Sequence, residues 1–343
     1  MRILSFIKNV DLLRRYPPYL SMIAKEVEEF HLCHITGKLE EKSIIFHRFQ
    51  FPKSIHFSSL LLALPTALKA FKICRKHRID VIYVLDGIYY ELSGLLTAKL
   101  SRSPLVVRLR TNEVKLRSIL RYNFVKRFLG NFVTMLTVNN ARHVVCISHE
   151  LRDLVLGWGI NPSKAKIVYH GVDTNHFRPI KVEKPFSKVV LFVGGFVPEK
   201  GASTVVEVAK SLENVHFLII GPESADSEIS RLPRNVHFLG VVSRDSMPRY
   251  YNMCDVLVLP SLTEGFPDVI LEAFACRKPV IASGVGEIPW IVSSKFGWLI
   301  KPGDVKELKE TIQNALSDEM LLKTMGESAR KYVVKNFQWI SYA

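Results

Sequence analysis

The chain repeats one pattern in two rounds. Short apolar runs of strand length alternate with longer stretches whose apolar positions recur at helical spacing. In the first half, runs at 2–7, 31–35, 81–85, 104–109 and 143–147 predict strands. Stretches at 18–29, 57–77, 89–101, 114–138 and 149–157 predict helices between them. Pro179, Pro185 and charged residues gather at 174–187 and predict a linker. Alternation then resumes from Lys188 to Lys301, with helices predicted at 304–316 and 318–336. Regular strand–helix alternation implies parallel sheets covered by helices on both faces. The expected class is α/β. The expected division is an N-terminal domain at 1–179, a C-terminal domain at 180–325, and a last helix at 326–343 returning toward the first domain. A length of 343 residues favours two such domains over one.

One stretch carries more chemistry than the rest. Asp255-Val-Leu-Val-Leu-Pro260 reads as a buried strand, Glu264-Gly265-Phe266 as a loop, Pro267 as the start of a helix to about Cys276, and 279–282 as the next strand. A helix opening directly after a strand turns unpaired backbone N–H groups toward the crevice above the sheet, where a phosphate can sit. Glu264 falls in that crevice, and Glu272 falls on the helix's second turn. Two carboxylates beside one anion site suit a ligand with both phosphate and hydroxyl groups, such as a nucleotide sugar.

These residues resemble the signature of the retaining glycosyltransferases of family four, E-G-F followed by E-A, here Glu264, Gly265, Phe266, Glu272 and Ala273. Val193-Gly-Gly-Phe-Val-Pro-Glu-Lys-Gly201 is similar to the family's V-G-R-L-x-x-x-K-G. The passages 215–222 and 236–242 resemble the strands leading to its nucleobase pocket, and 166–173 its hinge. The resemblance covers roughly residues 80–340 and is clearest from Ser148 onward. It implies the GT-B fold, two Rossmann-like domains facing across a cleft. It also implies transfer of a sugar from a nucleotide-sugar to a hydroxyl acceptor, lipid-linked or glycan, with retention at the anomeric carbon. The implied catalytic residues are Glu264, Lys200 and Arg110. The implied donor-binding residues are Gly194, Gly195, Val241, Val242, Gly265, Phe266, Asp268, Val269 and Glu272. No cofactor is expected. The chain shows no D-x-D at a strand end, so no metal is expected in the reaction.

The chain also departs from the family pattern. Gly195 stands where the family has its diphosphate-binding Arg, Arg110 where it has a His, and Trp290 where it has a Glu. Its glycine-rich loop after the first strand is replaced by 12–19, with Arg14 and Arg15. These changes keep open a second reading, a nucleotide-sugar-binding partner subunit with little or no catalysis of its own. A nicotinamide dehydrogenase is excluded, because no G-x-G-x-x-G follows any strand.

Charge adds a partner to this picture. The net charge is +15, and residues up to Pro179 hold 28 Lys plus Arg against 13 Asp plus Glu. The remainder has 19 of each, so all the excess lies in the first half. Two predicted helices there combine apolar and basic positions. One carries Lys69, Lys72, Arg75 and Lys76; the other carries Lys115, Arg117, Arg121, Lys126 and Arg127, with Phe124, Phe128 and Phe132 among its apolar residues. A basic amphipathic stretch fits an anionic bilayer, and a core helix with a solvated basic face fits the same pattern. Nucleic acid ranks lower, because no recognition motif accompanies the charge. No apolar run reaches transmembrane length. Five cysteines without a C-x-x-C pair or a histidine cluster argue against zinc and against a disulfide framework. The expected location is cytoplasmic, with peripheral attachment to the inner membrane face as the lipid-linked alternative.

Overall fold

The computed structural model of the chain describes residues 1–9, 19–36, 42–49, 62–85, 88–110, 112, 114, 123–223 and 232–338. Arg14, Arg15, Lys115, Arg117 and Arg121 lie outside the described residues. The chain divides into two units, Met1–Tyr169 and the remainder from His170.

In the first unit the strands are β1 (Arg2–Asn9), β2 (Glu29–Thr36), β3 (Ile45–Arg48), β4 (Val81–Leu85), β5 (Leu105–Leu109), β6 (His143–Cys146) and β7 (Ala165–Ile167). They form one sheet in the order β3-β2-β1-β4-β5-β6-β7, parallel at every pairing. The second unit contains β8 (Val189–Val193), β9 (His216–Ile220), β10 (Val236–Phe238), β11 (Val256–Leu259), β12 (Val280–Ser283) and β13 (Gly297–Ile300). Its order is β10-β9-β8-β11-β12-β13, again all parallel. Both orders reverse direction once, between β1 and β4 and between β8 and β11. In a doubly wound sheet that reversal opens a crevice at the carboxyl ends of the strands, where ligands bind.

The apolar runs form strands because both sheet faces are covered. Val189 through Phe192 and Val256 through Val258 are all fully buried. The second core packs Phe192, Phe217, Val205, Ile281 and Leu308 together. The first packs Ile3, Phe30, Leu32 and Leu85. Burying each such side chain contributes about 2 kcal/mol before entropy is charged.

Several boundaries differ from the sequence expectation. Of the helix expected over 114–138, residues 115–122 lie outside the described residues; a helix Phe124–Asn140 opens at Asn123, whose extended backbone and side chain accepting from Lys126 N at 2.9 Å cap it. Helix 18–29 is shorter, Tyr19–Glu26, because β2 already begins at Glu29. Strands β3 and β7 were not expected; both are short edge strands with exposed or half-buried positions. The division falls at Tyr169, ahead of the expected Pro179. The segment after it belongs to the second unit: Val172 N donates to Phe337 O at 2.8 Å, and fully buried Phe177 meets the Tyr251 ring at 5.9 Å. The last helix, Glu319–Asn336, holds the same segment, with Arg330 donating to Thr174 O, Phe177 O and Ala275 O.

All five cysteines are free and buried. Burial pushes the Cys74 thiol up to about 11 and Cys146 to about 12, so both stay protonated and inert at neutral pH. Among the described residues no helix is long and apolar enough to cross a membrane. The fold brings His31, His47 and His77, widely separated in sequence, together, with ring centres 4.4–6.0 Å apart.

Candidate active site

The site grows from the carboxyl ends of β8 and β11, the two strands at the second unit's reversal. After β8 the chain passes Gly194 and Gly195 and enters a single turn, Pro198–Lys200. Gly201 follows with φ of +75° and begins the helix Ala202–Lys210. A side chain at 201 would strike the Pro260 carbonyl, so only glycine lets the turn lie against the loop after β11. Leu262 N also donates to Glu199 O at 2.9 Å, tying the two loops together.

That tie brings Lys200 to Glu264. Lys200 Nζ donates to Glu264 Oε1 at 2.7 Å, and Ser261 Oγ donates to the same oxygen at 2.8 Å. Glu264 is 8 % exposed in its side chain and Lys200 36 %. The carboxylate is therefore held while the ammonium keeps solvent access. Glu264 Oε2 makes no hydrogen bond among the described residues. A third segment closes the loop from the other side: Gly286 (φ +55°) packs on the Glu264 carbonyl, and Glu287 N donates to Gly265 O at 3.2 Å.

Glu272 lies in the helix Asp268–Ala275, which starts at Pro267 without a side-chain cap. Its side chain is 10 % exposed. Tyr251 OH donates to Oε2 at 2.8 Å, and Arg244 Nη1 stands 3.4 Å from Oε1. Burial pushes the Glu272 carboxyl up to about 7, against the opposing pull of Arg244 and the Tyr251 hydroxyl. The Arg244 guanidinium lies 5.1 Å from the centre of the Phe177 ring, which fixes its direction. At the start of the helix, Asp268 Oδ1 pairs with His170 Nδ1 at 3.1 Å, and His170 packs edge-on to Phe266 at 5.8 Å.

The structure thus brings Gly194, Gly195, Lys200, Glu264, Gly265, Phe266, Asp268, Val269 and Glu272 onto three adjoining segments of one unit. Val241 and Val242 follow β10, on the far side of β9, and Val241 is 76 % exposed. Arg110 belongs to the first unit, directly after β5. Sequence reasoning missed Ser261, Arg244, Tyr251 and His170 as partners of the acidic residues. Only Ser261, three positions before Glu264, offered a local signal.

Two parallel doubly wound sheets, one in each unit, are the architecture of the GT-B fold. Comparison with known proteins agrees. The family described as "Glycosyl transferases group 1" matches residues 173–332, and "Glycosyltransferase Family 4" matches 23–176. The chain belongs to the glycosyltransferases of this family-four type, and its function is that of a glycosyltransferase. It is 28 % identical to glycosyltransferase MJ1178 of Methanocaldococcus jannaschii, over 94 % of this chain and 92 % of that one. It is 30 % identical to a D-inositol 3-phosphate glycosyltransferase of a Mycobacterium species, over 51 % of this chain and 45 % of that one. Beyond the Methanocaldococcus protein, the chain spans about half the length of the first curated relatives it matches. In fold it is similar to the Anabaena protein Alr3699/HepE in complex with UDP and glucose. That TM-score is 0.80 at 21 % identity, covering 100 % of this chain and 97 % of that one. It is equally similar to sucrose-phosphate synthase of Thermosynechococcus elongatus, at TM-score 0.80 and 21 % identity, covering 100 % and 96 %.

Proposed function

We propose that the chain moves a sugar from a nucleotide-sugar donor to a hydroxyl acceptor with retention of configuration and without a metal in the reaction. The observation that carries this reading is the Lys200–Glu264 pair at 2.7 Å on the reversal of the second sheet. A donor diphosphate competes with Glu264 for Lys200. Once Lys200 turns to the diphosphate, both Glu264 oxygens are available to accept hydroxyls of the donor sugar. The amino end of the helix at Asp268 and Lys200 together meet the charge that develops on the leaving phosphate. Glu272 accepts the ribose hydroxyls. The bond from anomeric carbon to phosphate oxygen breaks, and the bond to the acceptor oxygen forms on the same face. The acceptor's proton passes to the departing phosphate oxygen. Arg110 of the first unit supplies a further positive charge.

The acceptor reading rests on the helix Phe124–Asn140. Phe124, Phe128 and Phe132 are 76, 60 and 46 % exposed and stack in a ladder at 6.3 and 6.4 Å. Lys126 and Arg127 stand exposed between them. Phe128 and Phe132 also border a cavity of about 210 Å³ lined by Met135 and Trp158. On the helix Ala63–His77, Leu64 and Leu68 are 54 and 49 % exposed beside exposed Lys69, Lys72, Arg75 and Lys76. We read these as the contact to an anionic membrane surface or a lipid-linked acceptor.

Thermal shift against UDP-, GDP- and ADP-sugars identifies the donor, since a bound ligand raises apparent stability. Transfer of the labelled sugar then tests catalysis, and the anomeric proton of the product tests retention. Glu264→Ala and Lys200→Ala are expected to lower turnover about 100-fold or more, and Glu272→Ala to weaken donor binding. Full transfer by both glutamate variants would overturn the reading. Donor binding without any transfer or hydrolysis would instead favour the partner-subunit alternative that Gly195 suggests.

A further inference from the structure

The first unit holds a second chemical cluster, unconnected with sugar transfer. Glu29 and His31 open β2, His47 lies in β3, and His77 ends the helix Ala63–His77. These points all lie at or near the amino-terminal edge of the sheet, opposite the crevice edge. His31 Nε2 is 2.8 Å from Glu29 Oε2, and His77 Nδ1 is 3.7 Å from the same oxygen. One ligand atom from each of the three residues lies within 4.8 Å of the others.

We propose that Glu29, His31 and His77 bind a divalent transition-metal cation, Zn²⁺ by the chemistry of the donor set. Two imidazoles and one carboxylate are zinc's preferred donors. With metal–ligand bonds of about 2.0–2.1 Å, tetrahedral ligands lie about 3.3 Å apart. The two spacings to Glu29 bracket that value and the third is within 4.8 Å, so side-chain rotations, chiefly of the partly exposed Glu29 and His77, bring the three donors to it.

The surroundings fit a ligand site in a further way. His31 is fully buried, and its Nδ1 is 2.9 Å from His47 Nε2. When Nε2 takes the metal, Nδ1–H donates to His47, the outer hydrogen bond that orients a metal-bound imidazole. Two cations flank the cluster. Arg2 Nε lies 3.9 Å from Glu29 Oε2, but its Nη2 is engaged by Glu28 Oε1 at 2.5 Å; Lys76 acts on His47. The metal would join the start of β2 to the end of a helix 48 positions later, fastening the edge of the sheet. Two ligands two positions apart and a third far along the chain match none of the short finger-type zinc spacings, which is why the sequence showed nothing.

The test uses the full chain, without a histidine tag and stripped with EDTA. Calorimetric titration with ZnCl₂ is expected to give one ion per chain, and Co²⁺ to give a d–d absorption band of tetrahedral intensity. Saturating Zn²⁺ should raise Tm by about 5–10 °C. His77→Ala and Glu29→Gln both alter partly exposed side chains. Each should weaken binding about 100-fold and remove the Tm shift, and His47→Gln should weaken it about 10-fold. His143→Ala, at an exposed histidine elsewhere, should change nothing. Circular dichroism without metal shows whether each variant is folded. No stoichiometric binding at 100 µM Zn²⁺ would overturn the proposal. So would binding that survives both His77→Ala and Glu29→Gln.

Discussion

Glu272→Gln isolates the cost of keeping a carboxylate inside the second unit. Burial raises this group's pKa from 4.5 to about 7. The fold therefore favours the protonated form. Between pH 4.5 and 7 the folded chain retains a proton that the unfolded chain has released, so stability falls as pH climbs through that window. Below it both states are protonated and the penalty is absent; above it both are ionised and the penalty is complete. At about 1.36 kcal/mol for each pH unit between those two values, the full penalty is about 3 kcal/mol. For a unit of this size that corresponds to about 6–12 °C in Tm. Glutamine keeps an amide oxygen for the Tyr251 hydroxyl and carries no charge, while Arg244, 30 % exposed, remains solvated. Thermal melts of both proteins from pH 5 to 8 are the assay. The variant is expected to gain on the wild type as pH rises, the difference changing by most of that interval. Parallel Tm–pH curves would refute the reasoning.

The same proton should oppose the donor. A carboxylate that accepts two ribose hydroxyls binds only when ionised. Affinity for the nucleotide sugar, a diphosphate diester that does not itself titrate here, should then rise about tenfold from pH 6 to pH 8. Glu272→Gln should bind more weakly and with no pH dependence. Equal pH profiles for the two proteins would place the ribose elsewhere while leaving the stability argument intact.

Two further outcomes follow from geometry. Gly201→Ala forces a Cβ into the Pro260 carbonyl at a positive φ, and should cost about 3 kcal/mol or more, read as a lowered unfolding midpoint, and reduce turnover by displacing Lys200. Phe128→Ser with Phe132→Ser should leave Tm within about 2 °C, because both rings are exposed. The double variant should lose sedimentation with anionic vesicles at low salt; undiminished vesicle binding would remove the membrane reading.

The sheets were legible because their central strands are unbroken apolar runs. Val189–Val193 and Val256–Leu259 are buried on both faces and leave no polar alternation to confuse them with a surface strand. Strands β3 and β7 carried no such signal, since an edge strand of three or four residues buries too little to impose a pattern. At the site, Lys200 and Glu264 were readable because each sits in a local string of turn-forming residues. Their surroundings were not. Arg244 and Tyr251 approach Glu272 from 28 and 21 positions upstream. His170 reaches Asp268 across 98 positions. Such contacts are set by where the sheet brings loops together, which no local spacing encodes.

The helix Phe124–Asn140 shows the limit of periodicity itself. Phenylalanines at 124, 128 and 132 recur every fourth residue, the same spacing that marks a core-facing stripe. The helix nevertheless buries its other side, Gly130, Val133, Thr134, Thr137 and Val138. The neighbouring helix Ile88–Ser101 approaches closely enough there for Thr134 Oγ1 to donate to buried Glu91 at 2.8 Å. A second apolar face, made of the larger side chains, is left outward. The sequence weighs both faces equally, because hydrophobic spacing reports that a stripe exists and not what covers it. Small residues permit the close helix contact, so they take the inside, and the rings stay exposed. That exposed face is the physical reason the proposed acceptor contact is placed on the basic half rather than the neutral half.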